Sequence, residues 1–281
     1  MKLLRYGPPG AEKPAMLDRD GAIRCLSGVI RDIDGFALSD AALAMIAGID
    51  PSTLPVVGGN PRIGPCVARP TNYVCIGLNY ADHAAEAGMP VPKEPIIFLK
   101  SLSAFSGPND DVKVPRGSKK LDWEVELGIV IGKRSSYVPE HDWASHVAGY
   151  CVCNDVSERE YQIERGGTWD KGKGCDTFGP TGPWMVTRDE VPDPQKLTLW
   201  TEVNGKRMQN GSTATMIFGV AKIVSYVSHF ITLQPGDVIA TGTPPGVGSG
   251  IKPQPVFLKA GDEMRLSVDG LGVQAQRVID G

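Results

Sequence analysis

Residues 121–132 constrain the fold of this chain more than any other segment. Trp123, Val125, Leu127, Ile129 and Ile131 alternate with Asp122, Glu124, Glu126 and Gly128. A period of two belongs to a β-strand with one buried face, whereas a helix would scatter the same residues around its axis. Three acids share the other face, although Asp and Glu are poor strand formers. Like charges two apart on one face lie roughly 7 Å from each other and repel. Two readings are open at this point: a solvated strand face, or a site where a divalent cation turns repulsion into attraction.

A second strand bears on that choice. Residues 147–153 form an apolar run that ends in Asn154-Asp155. An acid at the end of a buried strand can point into a site. Glu124, Glu126 and Asp155 together suit a hard cation such as Mg²⁺ or Mn²⁺, with water or substrate oxygens completing about six ligands. The four histidines contain no H-x-x-x-H pair, which disfavours zinc. Asp18 and Asp20 resemble the start of a calcium loop, but no Glu stands at the twelfth position, so they read as turn residues.

Two further segments carry candidate chemistry. Residues 79–90 read as a short helix capped by Asn79 and ended by Gly88. His83 and Glu86 are three apart on it, hence neighbours on one face. The carboxylate could orient and polarise the imidazole as a general base; an exposed surface pair is the plain alternative. Residues 237–250 read as a strand running into a Gly-rich loop that is neither a P-loop nor a dinucleotide fingerprint. Either it is only a β-turn, or its backbone N–H groups and threonine hydroxyls hold a substrate carboxylate. Arg159, Lys171 and Lys173 are the basic candidates; solvated surface residues are the plain reading of each.

The rest of the chain sets the frame. Glycine and proline together supply 34 and 23 of the 281 residues, scattered among apolar runs, which indicates many turns and a β-rich chain. Asp20-Gly21, Asn204-Gly205 and Asp269-Gly270 are hairpin signals. Ser39-Asp40 precede a short helix at 41–47, and residues 51–70 read as a linker or long loop. Ile217, Val220, Val224, Val227 and Ile231 repeat at helical spacing, ended by Gln234-Pro235-Gly236. Strands do not alternate regularly with helices, which disfavours a parallel doubly wound sheet. The expected division is a small N-terminal α+β domain at 1–68 and a catalytic domain at 69–281.

Charge and composition exclude several classes of function. With 29 basic and 32 acidic residues and no basic stripe, nucleic acid is not an expected partner. No window approaches the ~18 uninterrupted apolar residues of a membrane helix. The start Met1-Lys2-Leu3-Leu4 is stopped at once as a signal peptide by Gly7-Pro8-Pro9-Gly10. The six cysteines form no C-x-x-C and read as free thiols in a reducing cytoplasm, with Cys151 and Cys153 buried on one strand face.

In combination and order, four motifs resemble the fumarylacetoacetate hydrolase (FAH) family. They are Gly77-Leu78-Asn79-Tyr80 through Glu86, Glu124-x-Glu126-Leu127-Gly128, Asn154-Asp155-Val156-Ser157-x-Arg159, and Thr241-Gly242-Thr243-Pro244 through Gly248. The resemblance runs from about Tyr73 to the C-terminus. It implies a mainly β protein with some α, built on a mixed β-sandwich-roll catalytic domain and usually paired as a homodimer. It implies Mg²⁺ or Mn²⁺ on Glu124, Glu126 and Asp155, and water activation by His83 with Glu86. It places Arg159, Gln162, Tyr80 and Thr243 against substrate and Lys173 among the catalytic groups. Leu78 departs from several relatives, which carry Arg after the Gly.

The implied activity is C–C bond hydrolysis of an acylpyruvate-type 2,4-dioxo acid with release of pyruvate. Similarity to a bacterial branch suggests a 2,4-diketo-3-deoxy sugar acid of the L-rhamnonate or L-fuconate type. Oxaloacetate decarboxylation, ureidoglycolate lysis and a non-enzymatic binding role are the alternatives on the same site.

Overall fold

The computed structural model describes residues 1–281. The chain opens with strands β1 (Lys2–Tyr6), β2 (Lys13–Leu17) and β3 (Ile23–Cys25), then helix α1 (Asp40–Ala47). β4 (Tyr73–Gly77), α2 (Ala81–Glu86), β5 (Ile96–Leu99), β6 (Phe105–Ser106) and β7 (Val112–Val114) follow. Next come β8 (Leu121–Asp122), β9 (Val125–Ile131), β10 (Val147–Asn154), β11 (Ser157–Glu158), the single turn α3 (Asp170–Lys173) and β12 (Gly179–Thr187). The last elements are β13 (Thr198–Val203), β14 (Lys206–Ser212), α4 (Val220–Ser228), β15 (Val238–Ala240), β16 (Glu263–Val268) and β17 (Val273–Asp280).

A ten-stranded mixed sheet runs β3-β2-β1-β12-β10-β9-β15-β4-β5, with β6 alongside β12. A five-stranded sheet, β14-β13-β16-β17-β7, packs on one of its faces. The alternation in β9 decides the layering. Val125, Leu127, Ile129 and Ile131 join Leu199, Met264, Leu266 and Val268 of the smaller sheet in one apolar core. Val130, on the other face, joins a second core with Leu3, Met16, Leu26, Ile46, Cys151, Cys153 and Val238. The fold is therefore mainly β and not doubly wound, as the sequence indicates.

The hairpins form where expected. Asp18 accepts from the N–H groups of Asp20 and Ala22 and ion-pairs with Arg24, so it is a turn residue. Asn204 and Gly205 both take positive φ, as a two-residue hairpin requires. Ser39 caps α1 by accepting from Ala42 N. The boundary expected at 68/69 is no break in the packing: β1 pairs with β12, so residues 2–25 extend the large sheet, and the second core spans both sides.

Two element readings change. Residues 121–132 are not one strand but β8 and β9, parted at Trp123-Glu124. There the backbone leaves the ladder for side-chain partners: Asn154 Oδ1 accepts from Glu124 N (3.2 Å) and Gln209 Oε1 from Val125 N (3.0 Å). The α4 helix is shorter than its apolar repeat. Ile217 N donates to Asn79 O (2.8 Å), Gln195 Oε1 caps Val220 N (2.7 Å), and the helix ends at Ser228, before Ile231. No helix is long and apolar enough to cross a membrane.

The free thiols Cys151 and Cys153 share one face of β10 and crowd Gly128 of β9. A Cβ on Gly128 would lie 2.6 Å from Cys153 Sγ and 2.7 Å from Cys151 Sγ. Gly128→Ala should destabilise the protein by about 1–3 kcal/mol through overpacking, read as a lower urea midpoint. Adding Cys151→Ala should recover part of that loss.

Candidate metal centre and active site

The acid triad forms because β9 and β10 are neighbours. Antiparallel pairing sets Val125 opposite Asn154 and Glu126 opposite Cys153, and Asp155 N donates to Glu124 O (2.9 Å) just past the strand end. Glu124, Glu126 and Asp155 are all buried, and one carboxylate oxygen from each lies within 4.8 Å of the others. The solvated-face reading of this strand is thereby overturned: Asp122, Glu124 and Glu126 all lie inside the protein.

Three buried cations balance them. Lys173 Nζ bridges Glu124 Oε2 (2.7 Å) and Asp155 Oδ2 (2.8 Å). Lys100 Nζ pairs with Asp155 Oδ1 and donates to Val156 O (3.1 Å). Arg159 donates from Nε to Asp122 Oδ2 (2.8 Å) and from Nη1 to Gln162 Oε1 (3.0 Å). Its Nη2 sits 2.8 Å from Glu124 Oε1 but is not aligned for a hydrogen bond, so this contact is Coulombic. Arg159 and Lys173 are thus buried site residues rather than solvated surface, and Gln162 braces the guanidinium.

These neighbours split the carboxylates. Burial alone would raise the Glu124 pKa, but Lys173, Arg159 and His83 outweigh it and hold it at about 2. Burial, then Asp155 and Glu124, push Glu126 well above the usual carboxylate range. Burial opposes the Lys173 and Arg159 charges, yet the facing carboxylates raise both groups above their ordinary values. Glu126 is the acid without a cationic partner; its hydrogen bond comes from Gly242 N (2.7 Å). A buried carboxylate whose only donor is one amide, within reach of two others, fits a hard divalent cation. Glu124, Glu126 and Asp155 would hold it.

The Gly-rich loop at 242–250 is an anion cradle, but its anions belong to the chain. Gly246 N donates to Glu86 Oε1 (2.9 Å), Gly248 N to Asp122 Oδ1 (2.6 Å) and Ser249 N to Asp122 Oδ2 (2.9 Å). Gly242 takes φ +97°, and a Cβ there would lie 2.6 Å from Asn79 Cβ. The expected capture of a substrate carboxylate by these N–H groups is therefore corrected. Thr243 lines the cavity, but its hydroxyl donates to Val125 O (2.9 Å) and accepts from Gln209 Nε2 (2.8 Å).

His83 and Glu86 lie on α2 and open into the same cavity, His83 being buried rather than a surface decoration. His83 Nδ1 is 3.1 Å from Glu86 Oε2. An ionised carboxylate can only accept, so Nδ1 carries the proton and Nε2 is left basic. The helix cap differs from the expected one. Tyr80 occupies the N-cap position, while Asn79 clamps distant backbone, accepting from Phe218 N (2.8 Å) and donating to Phe218 O (3.0 Å) and Thr241 O (2.8 Å). Tyr80 is fully buried off the cavity wall, and its hydroxyl has no partner.

The cavity holds about 380 Å³. Its floor is Glu124, Glu126, Asp155, Arg159 and Lys173; Leu78, Met89, Phe98, Ile163 and Trp169 form an apolar wall. Lys100 and Asp122 escape assignment from sequence. Lys100 closes the apolar run 96–99, the same signal that marks Asp155, and Asp122 belongs to the acidic face of its own segment.

The family described as Fumarylacetoacetate (FAA) hydrolase C-terminal matches residues 72–279. The chain is 66% identical over 276 residues to a Burkholderia ambifaria protein named "Putative hydrolase", covering 98% of each. A fumarylacetoacetate hydrolase from psychrophilic Exiguobacterium antarcticum superposes with a TM-score of 0.86 at 33% identity, over 100% of both chains. Maleylpyruvate hydrolase from Sphingobium sp. SYK-6 gives 0.81 at 30% identity, again over 100% of both. A 5-carboxymethyl-2-hydroxymuconate delta-isomerase from Mycobacterium smegmatis gives 0.77 at 31%, over 100% of this chain and 99% of that one. The chain belongs to the fumarylacetoacetate hydrolase family, a fold shared by hydrolases and isomerases.

The raised Glu126 pKa has a signed consequence. Between the unfolded and folded values the folded state binds the extra proton, so stability falls as pH rises through that window. At pH 8 in EDTA, Glu126→Gln should therefore melt several degrees above the unsubstituted protein. Adding Mn²⁺ should raise the melting temperature of the unsubstituted protein and much less that of the variant, reversing the order in a thermal scan.

Proposed function

We propose that this family member hydrolyses the C3–C4 bond of an acylpyruvate-type 2,4-dioxo acid and releases pyruvate. The observation that carries the reading is the His83–Glu86 couple, with Nε2 left basic, in the same cavity as the buried acid triad. The name of the Sphingobium neighbour, a maleylpyruvate hydrolase, supports hydrolysis on this fold. Within the class, the motif resemblance supports a 2,4-diketo-3-deoxy sugar acid of the L-rhamnonate or L-fuconate type. The same reading has the enzyme act as a homodimer in the cytoplasm.

Each residue has a defined task in that reaction. His83 Nε2 takes a proton from water, while Glu86 fixes the ring and stabilises the imidazolium that forms. The hydroxide adds to the 4-carbonyl carbon. Lys173 and Arg159 present positive charge to the carboxylate and oxo oxygens of the substrate. The C3–C4 electron pair moves toward the 2-oxo oxygen, and a proton returned to C3 gives pyruvate and the second acid. Mg²⁺ or Mn²⁺ on Glu124, Glu126 and Asp155 would supply Lewis-acid stabilisation of negative charge on the substrate oxygens. Decarboxylation of oxaloacetate would use the same acids but give the His83–Glu86 couple no water to activate.

A panel of 2,4-dioxo acids and oxaloacetate, assayed with Mg²⁺, Mn²⁺ and EDTA, tests the reading. EDTA should abolish turnover. His83→Ala should lower kcat on the dioxo acids by about 10²–10⁴-fold while leaving the Mn²⁺ dissociation constant unchanged. A variant that cleaves dioxo acids at the full rate would refute the role given to His83.

A further inference from the structure

The charged floor of the cavity accounts for the head of a dioxo acid but not for its tail. Five apolar side chains line the same cavity: Leu78, Phe98 and Trp169, which are buried or half-buried, and Met89 and Ile163, which are exposed. Trp169 is wedged between two elements. Its ring lies edge-on to Phe98 of β5 at 5.4 Å between centroids. On its other side it fills the space above Gly77, where a Cβ would fall 2.8 Å from Cη2. Any residue larger than glycine at 77 would push the indole out of the wall.

Leu78 holds its place at a cost. Its φ is +51°, a region that L-residues with bulky side chains seldom take. Asn79 next to it is pinned to the backbone of residues 218 and 241, which keeps this conformation in place. At the mouth, Met89 and Ile163 leave 48% and 64% of their surface exposed, on segments that follow α2 and Arg159. Gln162, Ser249 and Lys252 line the same cavity, but the five side chains of this wall offer only the Trp169 indole N–H, so a hydroxyl or carboxylate seated against them would lose most of its water without replacement.

We propose that the substrate tail ends in an apolar group, a methyl or larger, and that Leu78 and Trp169 are the specificity-determining residues for it. The inference rests on the dioxo-acid reading for the head of the substrate, and it selects among tails. A terminal methyl packs against the indole and Phe98. A terminal hydroxyl is desolvated in the same place, and a terminal carboxylate more so.

The test uses three 2,4-dioxo acids of equal length ending in methyl, hydroxymethyl or carboxylate. The methyl compound should exceed the hydroxymethyl compound in kcat/KM by about 10- to 100-fold, with the carboxylate lowest. Trp169→Ala should collapse this ordering mainly through the methyl compound. Leu78→Asn, which suits a positive φ and adds a polar group, should raise the hydroxymethyl compound relative to methyl. A flat or reversed ordering in the unsubstituted enzyme overturns the proposal, as does a Trp169→Ala enzyme that keeps the full preference. If Trp169→Ala fails to fold, the unsubstituted ordering and Leu78→Asn decide the matter. If none of the three acids is cleaved, the dioxo-acid reading fails, and the same series ranked by calorimetric dissociation constants decides the tail preference by the same criteria.

Discussion

Four carboxylates and three cations are buried together in this protein: Asp122, Glu124, Glu126 and Asp155 with Lys100, Arg159 and Lys173. Removing a charge from water costs several kcal/mol unless partners replace its hydration. The structure meets that demand by making nearly every charge a partner of another. Lys173 serves two acids, Asp155 is held between two lysines, and Arg159 spans Asp122 and Glu124. Glu126 alone lacks a cation, and this gap leaves a place where the triad could hold one.

The surrounding fold follows from that constraint. Adjacent central strands of a large sheet bring the acids together, because two packed cores on either side leave their backbones no freedom to drift. The loop at 242–250 turns four of its N–H groups, those of Gly242, Gly246, Gly248 and Ser249, on Glu126, Glu86 and Asp122. It thereby links α2, the triad and Arg159 in one hydrogen-bonded piece. Glu86 is the joint of this arrangement, with one oxygen on the imidazole and the other on the loop. Movement of the loop would be felt at His83 directly.

Much of this was legible residue by residue. The alternation of 121–132 marked strand structure with one buried face, the run into Asn154-Asp155 marked a second strand, and His83 with Glu86 marked a pair on one helical turn. Asp20-Gly21, Asn204-Gly205 and Ser39 reported their turns and cap because such signals are local. The misreadings have a common origin. Asn79 looked like a cap, but its side chain serves backbone 139 and 162 residues away. The loop amides looked free for substrate because their acceptors, Glu86 and Asp122, come from segments more than a hundred residues earlier. Lys100 was not singled out at all, because its partner Asp155 lies 55 residues further along the chain.

By itself the sequence determined which residues could become strands, turns and ligands, since backbone preference, hydrophobic period and donor chemistry are properties of short segments. It also determined the family, through four motifs kept in order. Only the tertiary structure decided which acid would stand without a cation, which amides would be consumed, and which side chains would wall the cavity. Those outcomes depend on distances of a few ångströms between segments far apart in the chain. Electrostatic and hydrogen-bond energies change steeply over such distances, and no local pattern encodes them.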